Sequence, residues 1–364
     1  MFELFFLTVL SIYFIQTVIM VIGIRKNFNK LADDDLPSIS IIVAARNEED
    51  NILECMQSLE KLIYPSGKME IILVNDHSND ATGGIIETFI KDKPQFKYLI
   101  PSEAIVSRGG KANAIANAIR IASGKVILTT DADCTVLPTW AKSIAQYYTG
   151  NVAIVCGYTT QVDKDSFGAM QAIDFIYLLE VAAGTINLGK PLSCIGNNMS
   201  YRKDVYEEVG GYEGIPFSVT EDSRLMVSID ELKKYRIIYP LEEQALVTSK
   251  PCSTFKELYR QKKRWGAGGK ESGLIGYAVM GSGFLSHIAI LLIPFFFSMV
   301  SIYLLLFKLV IDYYFILPVY QRLKLKLNFK HFLVFEMYFV IYVVLLPFIV
   351  LFDKKVQWKG REFK

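Results

Sequence analysis

Histidine and cysteine are scarce in this chain, and neither sign of charge is in real excess. Three histidines stand far apart among 364 residues, which argues against a histidine-built metal centre. The cysteines, at positions 55, 134, 156, 194 and 252, are odd in number, scattered and without metal-ligand spacing. That speaks against a disulfide framework or a zinc site and for a reduced compartment. Lysine plus arginine total 39 against 37 acids, a net charge of +2, so nothing points to a nucleic-acid partner. Internal repeats and low-complexity segments are also missing, which removes solenoid and disordered architectures.

Apolar residues, by contrast, are abundant. They make up 52% of the chain, with a mean hydropathy of +0.30, too apolar for an ordinary soluble domain. The excess lies at the two ends. Residues 1–24 are apolar apart from Glu3 and a few hydroxyl or amide groups, long enough for one membrane-crossing helix. Arg25, Lys26 and Lys30 follow directly, and positive charge after a first span places that side in the cytoplasm. A cleaved signal peptide would need a positive start and a small-residue cleavage site, and the sequence has neither. Residues 25–37 then read as a polar linker ending in Leu36-Pro37.

Residues 38–250 alternate strand, loop and helix, the pattern of an α/β domain with a mostly parallel sheet. Residues 39–43, 69–74 and 126–130 are β-branched or aliphatic runs of strand length. Each is followed by polar side chains: Arg46, Asn47 and Glu48; then Asp76 and Asp80; then Asp131 and Asp133. In such sheets ligands bind beyond the carboxyl ends of the strands. Three polar clusters at three strand ends therefore mark one site. Asp131 and Asp133 offer hard oxygen donors that suit Mg²⁺ or Mn²⁺ completed by substrate phosphates. A solvated turn is the plain alternative for those two acids taken alone. Gly109-Gly110-Lys111 opens a helix, as a phosphate-side lysine or as a flexible turn. Asn197 and Asn198 can hold sugar hydroxyls or cap a turn. Glu221 and Asp222 enter a helix where acids also serve as ordinary caps.

Residues 251–275 form a basic, partly amphipathic segment with Gln261, Arg264 and Trp265, suited to lie on anionic headgroups. Residues 276–353 form a C-terminal membrane region. Residues 284–306 and 332–352 each read as a span, and 309–319, with Asp312 and Pro318, as interfacial, re-entrant or part of another span. Arg322, Lys324, Lys326 and Lys330 point to a cytoplasmic loop, and the basic tail 354–364 to a cytoplasmic C-terminus. With one span between them both cannot hold, and the denser tail carries more weight.

In this order and spacing, the motifs together resemble a membrane-bound family 2 glycosyltransferase with a GT-A catalytic domain. The carriers are Ala44-Ala45-Arg46-Asn47-Glu48-Glu49, Val74-Asn75-Asp76-His77-Ser78-Asn79-Asp80, Gly110-Lys111, Asp131-Ala132-Asp133, Thr220-Glu221-Asp222 and Gln261-x-x-Arg264-Trp265. The closing Trp358-Lys359-Gly360-Arg361 is similar to the tail of ceramide-glucosyltransferase-type members. Ala45 stands where a proline is common.

The resemblance implies inverting sugar transfer from a UDP-sugar of the glucose or N-acetylglucosamine type to a lipid, lipid-linked or glycan acceptor. It implies Asp222 as base beside Glu221, and Asp133 with Asp131 on a divalent metal. Arg46, Glu48, Asp76, Lys111 and Asp131 would bind the donor. Gln261, Arg264 and Trp265, with Asn197 and Asn198, would serve diphosphate and acceptor. It implies an integral protein of a bacterial-type cytoplasmic membrane with its catalytic domain in the cytoplasm. A processive polysaccharide synthase of the poly-N-acetylglucosamine, hyaluronan or cellulose type is the competing expectation. An inactive scaffold or sugar-nucleotide sensor is the remote one, since each expected acid is present.

Overall fold

The computed structural model describes residues 1–106, 110–269, 272–352, 356–358 and 361–363. Gly109 of the glycine pair and Lys354, Lys355, Lys359, Gly360 and Lys364 of the tail lie outside them. The chain divides into two compact units. A sheet unit comprises 27–160 and 194–250, and a helical unit comprises 1–26, 161–193 and 251–364.

The sheet unit begins with β1 (Ile39–Ala45), α2 (Ile52–Glu60), β2 (Met69–Asn75), α3 (Thr82–Ile90), β3 (Phe96–Leu99), α4 (Lys111–Ile121) and β4 (Val126–Asp131). It continues through β5 (Cys134–Val136), α5 (Trp140–Ala145), β6 (Val152–Cys156) and β7 (Thr159–Gln161), where the chain leaves the unit. After its return come β8 (Met199–Arg202), α7 (Lys203–Glu208), α8 (Gly211–Gly214), α9 (Glu221–Glu231), β9 (Arg236–Ile238) and β10 (Val247–Ser249).

Seven strands form one sheet in the order β3-β2-β1-β4-β8-β6-β9. The run β3-β2-β1-β4 is parallel, β8 is antiparallel to both its neighbours, and β6 is parallel to β9. Ile41, Ile42 and Val43 of β1 are all buried, and so are Ile71, Ile72 and Leu73 of β2. Consecutive buried residues mean that both sheet faces are covered, which is why these strands are apolar runs rather than alternating ones. The helix α2 buries Ile52, Cys55, Met56 and Leu59, the spacing of one helical face.

Register then positions the site. Ala45 of β1 stands beside Asn75 of β2, and Ala44 beside Asp131 of β4. The residues that follow each strand therefore emerge along one edge.

The helical unit holds α1 (Phe2–Ile24), α6 (Ser166–Asn187), α10 (Phe255–Gly269), α11 (Gly273–Leu292), α12 (Met299–Arg322) and α13 (Phe329–Phe352). A short antiparallel pair, Val356–Trp358 and Arg361–Phe363, closes the described chain. Among the described residues five helices are long and apolar enough to cross a membrane: α1, α6, α11, α12 and α13. They differ in what covers them. The apolar stretch of α6 is 89% buried inside the protein, against 22–39% in the other four. A helix apolar all round is covered either by protein or by lipid; for α6 the cover is protein.

That explains why residues 161–193, read from sequence as part of the 38–250 domain, belong instead to the helical unit. Helices α1 and α6 approach closely at Gly23 and Gly184. A Cβ on Gly23 would stand 2.3 Å from the Gly184 carbonyl oxygen, so the backbones of α1 and α6 meet there.

The reading of 284–306 as one span is corrected. The chain breaks after α11 at Pro294, and Ser298 caps α12 in a reciprocal arrangement with Ser301. The ambiguous stretch 309–319 lies wholly within α12. Pro318 is tolerated there, four residues before the helix ends.

Inside this unit sits a charged ladder. Lys308 of α12 pairs with Asp312 at 2.7 Å and with Glu336 of α13 at 2.5 Å. Asp312 also accepts from the Tyr13 hydroxyl of α1 at 2.6 Å, and Tyr13 meets Tyr177 of α6 at 2.5 Å. Four helices are thus joined through groups with essentially no exposure. Removing the one cation strands two buried carboxylates. Lys308→Ala is expected to cost about 3–5 kcal/mol of stability, the usual penalty for breaking one side of a buried pair. Thermal unfolding in detergent checks this: a melting temperature equal to that of the parent would show that the ladder holds nothing together.

Candidate active site

The β1 and β2 ends are bound to each other by polar contacts. Arg46 donates from Nη1 to the Asp76 carbonyl oxygen at 2.8 Å and stands 3.9 Å from its carboxylate. The Asn47 side chain accepts from the Asn79 amide at 2.9 Å, and Ser78 accepts from the Asn47 amide at 3.1 Å. The Glu48 amide donates to Thr82 at 2.8 Å, and its carboxylate accepts from Asn51 at 2.8 Å. Asp80 accepts from the Glu49 amide at 3.1 Å and from Thr82 at 2.5 Å. Asn47 and His77 both carry φ of 54°, the left-handed region that non-glycine residues rarely occupy. Such strain concentrates where a turn must aim side chains at a ligand.

A second group gathers beyond β4. Lys111, the first residue of α4, forms an ion pair with Asp131 and lies 3.9 Å from Glu221 at the start of α9. Burial alone would pull the Lys111 ammonium down. Asp131, with Glu221 and Asp222 behind it, outweighs that and holds it above the ordinary lysine range, so it is a fixed cation. Asp222 accepts from the following amide of Ser223 at 2.7 Å, which orients its carboxylate.

Gly196 supplies the floor. A Cβ there would be 3.1 Å from the Asp222 Oδ2 and 3.5 Å from the Lys111 Nζ. Its carbonyl accepts from Thr129 of β4 at 2.7 Å, so this loop is tied to the central strand. Gly196→Ala is expected to move Asp222 by tenths of an ångström and to lower turnover about tenfold, since small misplacements at a reacting centre are costly. Steady-state kinetics checks this, and turnover at the level of the parent would mean that Asp222 needs no such placement.

The β4 end also carries Asp133, separated from Asp131 by the buried Ala132. Among the described residues no group of three or more histidine, cysteine or acidic side chains is placed to hold a metal ion by itself. A complete protein cage is therefore not built here, and nucleotide phosphates would have to fill the remaining positions of an ion. The donors fit a hard cation. Cys55 and Cys134 are close by, but burial first, then the charges of Asp133 and Asp131, push both thiols up and keep them neutral. The oxygen ligands are left, as Mg²⁺ or Mn²⁺ requires.

Other residues singled out from the sequence fall elsewhere. Asn198 is a correction. It is fully buried, accepts from the Trp140 indole at 3.0 Å, and donates to the carbonyls of Tyr158 and Ala245 at 2.6 and 2.9 Å. Both amide protons are spent on the fold, so it is not an acceptor contact. Asn197 is buried too, and its oxygen accepts from Thr159 at 2.9 Å. Gln261, Arg264 and Trp265 lie on α10 in the helical unit, all partly buried. The Trp265 ring stacks on Phe175 of α6, with centroids 5.5 Å apart. Lys262 and Lys263, read as part of a headgroup-facing basic run, are buried.

Sequence reasoning missed Gly196, whose value lies in having no side chain. It also missed the contact of Lys111 with Glu221, 110 positions away.

With this geometry in hand, comparison with known proteins gives consistent matches. The family described as Glycosyl transferase family 2 matches residues 40–210, and Glycosyl transferase family group 2 matches 126–352. Beta-monoglucosyldiacylglycerol synthase of Trichormus variabilis is 24% identical over 275 residues, 73% of this chain and 56% of that protein. Poly-beta-1,6-N-acetyl-D-glucosamine synthase of Staphylococcus aureus is 30% identical over 289 residues, 74% of this chain and 65% of that protein. Probable glycosyltransferase YdaM of Bacillus subtilis is 26% identical over 248 residues, 64% of this chain and 56% of that protein. The chain thus spans between half and two thirds of the length of these relatives. Among solved structures, the mannosyltransferase PcManGT from Pyrobaculum calidifontis, in complex with GDP-Man and Mn²⁺, aligns with a TM-score of 0.68. It covers 97% of this chain and 100% of that one at 15% identity, a likeness of fold.

Proposed function

Since this chain belongs to glycosyl transferase family 2 and has the GT-A fold, we propose that it transfers a sugar, with inversion, from a UDP-sugar to a lipid or lipid-linked acceptor at the cytoplasmic face of a membrane. The observation that carries this reading is the convergence of Lys111, Asp131, Glu221 and Asp222 around Gly196, beside the Arg46–Asp76 pair.

Each part has a task. Arg46, Glu48 and Asp76 hold the uridine and ribose. Lys111 faces the diphosphate side, and Asp131 the sugar or ribose. As the acceptor hydroxyl attacks the anomeric carbon, its proton passes to the Asp222 carboxylate and the bond from that carbon to the diphosphate oxygen breaks. An alcohol is a poor nucleophile at neutral pH, so a base in the transition state is required. Glu221 beside the base meets Lys111, which offsets the concentration of negative charge. Asp133 with Asp131 would hold a divalent ion, Mg²⁺ or Mn²⁺, which when bound neutralises charge on the departing diphosphate. Gln261, Arg264 and Trp265 are expected to serve diphosphate and acceptor. The exposed apolar surfaces of α1, α11, α12 and α13 support a membrane-embedded helical unit, and an enzyme held in a membrane suits a lipid acceptor.

A processive polysaccharide synthase is the second reading, favoured by the Staphylococcus aureus relative. Detergent-purified protein, a lipid extract, a divalent ion and a panel of radiolabelled UDP-sugars and GDP-mannose separate the two. One discrete labelled species in the organic phase is expected. Long water-soluble material would favour the polymer, and no incorporation with UDP still bound would sink both.

A further inference from the structure

The helix α10 and the residues leading into it are held along one face of α6, at four places. The Phe167 ring packs against that of Phe255, tilted by 48° with centroids 4.5 Å apart. Gln171 accepts from the Cys252 amide at 2.9 Å and donates to its carbonyl at 3.1 Å. Asp174 forms an ion pair with Lys262, and Phe175 stacks on Trp265 at 13°. Positions 167, 171, 174 and 175 share one helical face.

The ion pair stands apart from the other three contacts. Asp174 is 0% exposed and Lys262 4%, so neither charge is in water. The Lys262 ammonium also lies 4.3 Å from the Trp265 ring centroid and 5.2 Å from that of Tyr342 on α13. A buried ammonium with a carboxylate and two rings around it has one low-energy position. Residues advance about 100° per position around a helix. With Lys262 fixed toward α6, Arg264, two positions on, is turned to the far side of α10, and Gln261 to its flank.

We propose that Asp174 is a positioning residue for the transfer reaction. Through Lys262 it sets the rotation of α10 and so the direction in which Arg264 and Gln261 are presented. This rests on the reading that those two side chains serve the transfer.

The test is a double-mutant cycle on full-length protein in detergent, with UDP binding, turnover and melting temperature read for each variant. Asp174→Asn is expected to leave UDP affinity within about twofold and to lower kcat about 10²-fold, the order set by ångström-scale misplacement. Arg264→Ala is expected to lower kcat by a similar factor. The two losses should not multiply, because both act through the same side chain. A multiplied loss in the double variant would overturn the inference while leaving the role of Arg264 intact. Normal turnover in Arg264→Ala would overturn the reading beneath it, and the inference with it.

Asp174→Leu with Lys262→Met covers the case in which Asp174→Asn fails to fold, since it buries no lone charge. That pair is expected to melt near the parent yet to turn over at least tenfold more slowly. Turnover at the parent rate in that variant would also overturn the inference.

Discussion

Asp222→Asn is expected to bind UDP as the parent does and to lose transfer by about 10²- to 10⁴-fold, the range a positioned general base contributes. The substitution is nearly isosteric, so the bond from the Ser223 amide to the side-chain oxygen survives, and the space left by Gly196 still accommodates the side chain. What is lost is the capacity to take a proton. UDP affinity should therefore stay level while turnover falls. A matching fall in both would point instead to a collapsed site, and near-normal turnover would remove Asp222 from the role. Glu221→Gln is the control. Its carboxylate faces Lys111 at 3.9 Å, and its loss is expected to cost far less.

Asp133→Ala is the second variant with a large expected effect, and it reads through binding rather than turnover. In the parent, UDP is expected to bind more tightly with Mn²⁺ than with chelator. The variant should lose that increment, on the order of 10²-fold, the scale of several kcal/mol that a divalent ion contributes on phosphate oxygens. Asp131→Ala would be a poorer probe. Asp131 already pairs with Lys111, so its removal disturbs the cation as well as any ion. Parent protein that binds UDP equally with and without chelator would contradict the metal assignment whatever the variant does.

Strands β1, β2 and β4 are legible in the sequence. The runs at 39–45, 69–75 and 126–131 are largely apolar because the sheet is covered on both faces, and the polar residues that follow each of them come out along one edge of it. Local pattern was enough for that. It was not enough where a long-range partner decides the role. The pair Asn197 and Asn198 had the right chemistry for a sugar, but Asn198 is used up by Trp140, Tyr158 and Ala245, from three separate parts of the chain.

The strand–loop–helix pattern of 38–250 takes in the α6 stretch. Its all-round apolar surface showed that something covers it, without showing what. The two lysines after Gln261 illustrate the same limit. Lysine next to lysine normally marks a solvated face, yet Lys262 is buried because Asp174, 88 positions earlier, meets it. Conversely, the break inside 284–306 was legible: Pro294 and the Ser298–Ser301 cap are both local signals, and hydropathy alone had masked them.

Configuration at the anomeric carbon tests the central claim most directly. The product formed from a UDP-sugar with an α-linked donor bond can be isolated and its glycosidic linkage assigned by proton NMR. Direct displacement assisted by Asp222 predicts a β-linkage, formed without a covalent sugar–enzyme intermediate. An α-linked product would contradict the account, because retention needs a second displacement that a single base at this position does not provide.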